Sequence, residues 1–250
     1  MRGFLKGFLI GTAAVCIMAL GWLFIIRPGL TRHEVQSIKT TYTRQVPGAG
    51  SSGGYSLQNS QEAETPTLDF AALQKAYPDV KAWLTIPGTV IDYPVAQSST
   101  DEPELYLRRN LDGKYRVAGT LFLQADCLPD GRTAIVYGHN MTDGTMFGCL
   151  PMYMDRVFFG EHSQIFLQTS DETRVYRVLA VLETDVSHLL FNRTVFADDT
   201  DFLSYAESIR ASSCIKTNVP ITADSRLLVL VTCSYAWPDA RYIVVAVWEP

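Results

Sequence analysis

No two cysteines of this chain stand in a C-x-x-C spacing, and the five that it has follow no regular interval. This excludes the common zinc-binding frames and argues against a disulfide framework. No metal site and no cofactor are expected. Basic clusters are missing as well. The formal net charge is −5, and nothing marks a nucleic-acid surface. No internal repeat is evident. Charged residues make up only 19% of the chain against 47% hydrophobic, a ratio that suits one domain with a sizeable core plus appendages. Histidine is scarce: His33, His139, His162 and His188 are the whole supply of imidazole bases.

The N-terminal part divides by composition. Gly7 to Ile26 carries no charge. At ~1.5 Å per residue such a run can cross a bilayer core of ~30 Å as a helix. Arg27-Pro28-Gly29 offers no small-residue cleavage pattern, so an uncleaved anchor over residues 1–28 is expected rather than a signal peptide. Basic residues flank the run on both sides, which leaves its orientation open by count. Residues 29–66 read as a polar juxtamembrane helix or stalk, Leu30 to Gln45, followed by a Gly/Ser-rich linker. A loop between two N-terminal helices is the alternative. Residues 67–250 form the folded domain.

Within that domain the spacing predicts a helix over Leu68 to Tyr77, capped by Thr67 or Asp69 and stopped by Pro78. Strands are expected at Trp83–Ile86, Val90–Val95, Gly119–Gln124, Thr133–Tyr137, Gln164–Gln168 and Arg174–Leu182. A helix, Phe202 to Ser212, falls inside a long connection, Val186 to Ser225. The count is about eight strands with few helices. This mostly-β pattern fits a closed antiparallel barrel, which removes exposed sheet edges.

The last two strands carry the chemistry. Leu227 to Cys233 and Arg241 to Trp248 are Val/Leu/Ile-rich runs about the loop Ser234 to Ala240. In a hairpin, Cys233 and Arg241 come near each other across the ladder on one face. A thiol beside a fixed positive charge tends toward thiolate. His139 ends another apolar run, Ala134 to Tyr137, after Gly138. Taken singly, a buried Cys is more often a small apolar core residue, and a strand-end Arg or loop His more often structural.

Three motifs change that reading. T-C-S-Y followed by D-A-R-Y-I-V-V-A resembles the Cys/Arg hairpin of sortases. Tyr137 to Gly148, Y-G-H-N-M-T-D-G-T-M-F-G, resembles the histidine segment of class B sortases. Trp83 to Val95 resembles that family's early strand pair. The motifs occur in family order, from about Leu68 to the C-terminus. The resemblance implies a closed eight-stranded sortase-type β-barrel with N-terminal helix or helices and a helix before the Cys strand. It also implies a cysteine transpeptidase (equally an endopeptidase) that cleaves a C-terminal sorting signal after Thr. The protein would then pass through a thioester to a peptidoglycan amine. The catalytic domain would lie outside the membrane and the N-terminus in the cytoplasm.

On that resemblance, Cys233 is the expected nucleophile, His139 the acid and base, and Arg241 the oxyanion or substrate-backbone donor. The amide of Ser234, next after the nucleophile, is a candidate second oxyanion donor. Tyr137 shares strand parity with His139 and could wall the substrate groove, or simply pack in the core. No Asn or Asp that would orient His139 is identifiable; Asp239 reads as a turn residue. Two departures touch recognition. Val231 stands in V-L-V-T-C where many class B members have a Ser, and Pro103 stands where relatives often have an Asn. The alternatives are a secreted cysteine peptidase that mainly hydrolyses and an inactive sortase-like assembly module.

Overall fold

A computed structural model of the chain describes residues 15–18, 22, 27–43, 68–185 and 191–248. Eight strands close into a barrel: β1 (Val80–Thr85), β2 (Asp92–Gln97), β3 (Leu121–Leu123), β4 (Thr133–Tyr137), β5 (Gln164–Gln168), β6 (Thr173–Asp185), β7 (Arg226–Cys233) and β8 (Ala240–Trp248). Their order around the barrel is β1-β2-β3-β4-β7-β8-β6-β5. The expected all-antiparallel pairing needs correction. The β2–β3 and β4–β7 pairs run parallel. Parallel neighbours need a long crossover, and both pairs have one: residues 98–120 between β2 and β3, and the whole stretch 138–225 between β4 and β7.

The core follows from the sequence of the central strands. β7 and β8 are nearly continuous apolar runs and are buried along almost their whole length. Such runs suit strands covered on both faces. The first helix of the barrel domain, α2 (Phe70–Ala76), is shorter than expected. Asp69 caps it by accepting from the Ala72 N–H at 3.1 Å. A six-residue helix, α3 (Arg156–Glu161), follows a 3-10 turn at Leu150–Met154. In the long connection, α4 (Asp199–Ala211) buries Phe202, Tyr205, Ala206 and Ile209, one face at helical spacing. Asp198 caps it, Asp199 and Asp201 sit in its first turn and Arg210 in its last, which complements the helix dipole.

The helix α1 (Arg27–Tyr42) is docked on the barrel. Val35 and Ile38 are buried in the common core, and Lys39 Nζ donates to both carboxylate oxygens of Asp92 on β2. Asp92 also accepts from the indole of Trp83 at 2.8 Å, so the ion pair is anchored to the core. The expected membrane placement is corrected. Among the described residues no helix is long and apolar enough to cross a membrane. The span expected at 7–26 falls largely outside the described residues, and the Gly/Ser-rich linker does so entirely. The single-pass assignment, with its cytoplasmic N-terminus and external domain, is not retained.

Candidate active site

Two strand pairings assemble the site. In the antiparallel β7–β8 hairpin, Cys233 and Arg241 are directly opposite, the last pair of the ladder before the loop. The loop closes tightly, with Ala240 N–H donating to Trp237 O at 3.2 Å. Asp239 turns the chain with φ 62°, the left-handed conformation that Asp tolerates in turns.

The parallel β4–β7 pair brings in the histidine. Tyr137 is opposite Val231, and hydrogen bonds carry this register past the end of β4. Gly138 N–H donates to Val231 O at 3.2 Å. The Thr232 hydroxyl donates to Gly138 O at 2.7 Å, across 94 residues of sequence. The Asn140 side-chain amide donates to Cys233 O at 2.9 Å. His139 is thereby held abreast of Cys233. Gly138 is required by close approach: a Cβ there would run into the side chains of Leu121 and Phe147. The histidine loop folds back on itself through Phe147 N–H to His139 O at 3.0 Å. Met146 in it adopts φ 53°, a conformation most side chains avoid.

His139, Cys233 and Arg241 line one cleft of about 330 Å³ together with Tyr137, Val231, Pro103, Glu104, Leu107, Phe122 and Gln124. All three are half-buried. The Nε2 of His139 lies 2.8 Å from the carbonyl of Leu107. A carbonyl only accepts, so Nε2 carries the hydrogen and Nδ1 of the neutral ring is free to take a proton. Burial holds the His139 pKa below its ordinary value, and the nearby Arg108 charge adds to that; the Leu107 hydrogen bond opposes both. The backbone of Leu107 thus does what an orienting side chain does elsewhere. Nothing in the sequence signals it, because a carbonyl has no residue type.

Tyr137 lies in the cleft wall. Its ring stacks on Phe122 with centroids 5.7 Å apart, and its hydroxyl donates to Gln124 Oε1 at 2.8 Å. Burial raises its pKa to about 12. Gln124 in turn donates to Asn192 O at 3.2 Å, tying the cleft to the long β6–β7 connection. Both departures noted in the sequence, Val231 and Pro103, are cleft-lining residues.

Ser234 requires correction. Its N–H is spent on Ala240 O at 2.8 Å, and its hydroxyl donates to Glu183 at 2.6 Å. Strand alternation explains the side chain, since Ser234 shares parity with Thr232, opposite to Cys233; the tight loop closure takes up the N–H. Its amide is not available to an oxyanion. The other histidines stand apart. His33 is exposed on α1, and His162 packs against Phe158 with Nδ1 2.9 Å from Pro87 O. His188 falls outside the described residues. Cys127 and Cys149 are buried, and burial pushes both thiols up to about 11.

The arrangement has a thiol, an imidazole with a free acceptor nitrogen and a guanidinium around one apolar-walled cleft. That set can perform nucleophilic acyl transfer. Comparisons with known proteins agree with it. Residues 84–249 match the family model of the sortase domain. "Sortase B" of Listeria monocytogenes is 32% identical over 163 residues, covering 64% of this chain and 65% of that protein. The chain therefore spans just under two thirds of that relative's length. A crystal structure of sortase B from B. anthracis in complex with AAEK2 superposes with a TM-score of 0.72 at 29% identity, covering 90% of this chain and 96% of that one. A Staphylococcus aureus sortase B–substrate complex gives 0.67 at 28% identity, covering 72% and 84%.

Proposed function

The chain belongs to the sortase family, in its class B, and from that premise we propose that it is a cysteine transpeptidase acting on C-terminal sorting signals. The observation that carries this reading is the meeting of Cys233, His139 and Arg241 around one cleft, from three strand ends. Cys233 passes its thiol proton to Nδ1 of His139 and, as thiolate, attacks the carbonyl carbon of a Thr in the signal. His139 protonates the departing amine of the signal's tail. A thioester remains on Cys233. An amine of peptidoglycan then attacks the same carbon, the C–S bond breaks and an amide forms. His139 accepts the amine proton, and the thiolate is regenerated.

Arg241 stays charged throughout and presents its donors in a planar fork. One, Nη1, donates to Ala240 O at 2.9 Å, which fixes the head group at the cleft. The remaining donors stabilise the tetrahedral oxyanion or hold the signal's backbone. Tyr137 and Phe122 supply the wall for the signal's side chains. Val231 and Pro103, where many relatives carry polar residues, give this cleft a less polar lining than theirs. The catalytic domain is placed at residues 67–250, with α1 as a docked flank. The partners of this reading are surface proteins bearing the signal and the peptidoglycan amine.

The test incubates the full chain with a library of Thr-containing pentapeptides, with and without triglycine, and reads the products by mass spectrometry. A thioester mass on Cys233 with amine-dependent ligation supports the reading. Peptide cleavage with no ligation to any amine would sink it in favour of hydrolysis.

A further inference from the structure

The second substrate needs a place of its own, because the thioester fills the cleft when the amine arrives. A larger groove of about 730 Å³ lies beside the cleft on the outer side of the 3-10 turn Leu105–Arg108. The two share Pro103, Glu104 and Leu107, so they are continuous over that turn. Leu107 is the saddle between them, and its carbonyl holds His139 Nε2. A ligand lying in the outer groove therefore enters the reaction from the side of the general base.

The groove is charged with both signs. Glu104 lines both the groove and the cleft, and Glu102, Arg108 and Arg109 line the groove with Tyr115. All five side chains are exposed, and the walls are fixed by backbone bonds. Leu107 N–H donates to Glu104 O at 2.9 Å, and Thr120 N–H donates to Tyr106 O at 2.9 Å. Arg109 Nη1 donates to Gly113 O at 3.0 Å, which leaves its other donors for a ligand.

We propose that this groove is the acceptor subsite, and that it takes a peptide amine bearing free carboxylates. The inference rests on the transpeptidase reading above. Arg108 and Arg109 pair with the carboxylates, as planar guanidinium groups do well. Glu104, on the rim shared with the cleft, draws the cationic amine toward the thioester. The charge of Arg108 reaches His139, since it helps to hold that imidazole neutral. A neutral imidazole is the form that accepts a proton from the amine. In the step itself the ammonium first gives up one proton to water, the neutral amine nitrogen then bonds to the thioester carbon, the C–S bond breaks, and a second proton passes from that nitrogen to His139. A carboxylate-free acceptor such as a glycine amide gains nothing from the two arginines.

The experiment uses the full chain carrying Cys233→Ala, labelled with nitrogen-15. It is titrated with N-acetylated Ala-γ-D-Glu-Lys and, separately, with the diamide of the same tripeptide. Expected are amide shifts confined to residues 102–109 and 115, with the free acid binding more tightly than the diamide. Arg108→Gln with Arg109→Gln should weaken the acid by about tenfold and leave the diamide within about twofold, as loss of charge pairing alone predicts. Equal affinity of acid and diamide, or shifts centred elsewhere, would overturn the proposal. The binding needs no acylation, so it is read apart from thioester formation on the unsubstituted chain. Absence of the thioester would strike the transpeptidase reading, whereas absence of carboxylate-dependent binding would strike this one.

Discussion

The side-chain amide of Asn140 donates to the carbonyl of Cys233 at 2.9 Å, so the residue after the histidine is bonded to the backbone of the thiol. Tyr235 adds a second tie, its hydroxyl donating to Asn140 O at 3.0 Å. The two strand ends are thus clamped where no ladder bond continues. Asn140→Ala should fold normally and slow thioester formation by roughly ten- to a hundredfold, the cost of misplacing reacting groups by about an ångström. Rapid-quench mass spectrometry measures it. An unchanged acylation rate would show that Asn140 does not set the geometry.

Arg241 tests charge against shape. Arg241→Lys keeps a cation at the ladder position opposite Cys233 but loses the fork. It should retain the fold and lower kcat/KM by about a hundredfold, the usual scale for one oxyanion donor. Near-parental kinetics in a folded Lys variant would mean that the guanidinium serves only as a local charge.

His139 makes stability depend on pH in a definite direction. Its folded pKa is held below the ordinary 6.5, chiefly by burial. The unfolded chain therefore binds the proton more readily. The contribution is fully present above the unfolded pKa of about 6.5 and is lost as pH falls through the lower folded value. Urea midpoints between pH 7 and pH 5 should fall more steeply for the parent chain than for His139→Gln. Parallel curves would place the depressed pKa elsewhere.

The thiols should separate by environment. Burial pushes Cys127 and Cys149 up to about 11, so at pH 8 both remain protonated and covered. Iodoacetamide on the native chain should modify Cys233, and the exposed Cys214, well before either of them. Peptide mapping after short exposure reads this out. Early alkylation of Cys127, whose Sγ lies 3.5 Å from the Ile135 N–H, would show that strand β4 opens on that timescale.

Much of the site was legible from local pattern. The Cys233–Arg241 pair follows from one hairpin, because a short loop between two apolar runs sets their register. The helix before the Cys strand, α4, follows from apolar spacing and its capping aspartates. The direction of the Ser234 side chain could be read from strand parity, since alternation sends it to the face opposite Cys233. The occupation of its amide by Ala240 O could not, because that depends on how tightly the loop closes.

What the sequence determined by itself was the set of strands, the hairpin that pairs thiol with guanidinium, and the chemical kinds of residue at their ends. Only the tertiary structure decided which distant groups meet. His139 stands by Cys233 because β4 and β7 run parallel, joined by the long crossover 138–225, whereas local pattern suggested antiparallel neighbours throughout. The carbonyl of Leu107 reaches His139 from a turn in another connection. The physical reason is one of range. Period and turn chemistry act over a few residues, whereas the side of the barrel on which a long crossover returns depends on burying every strand at once.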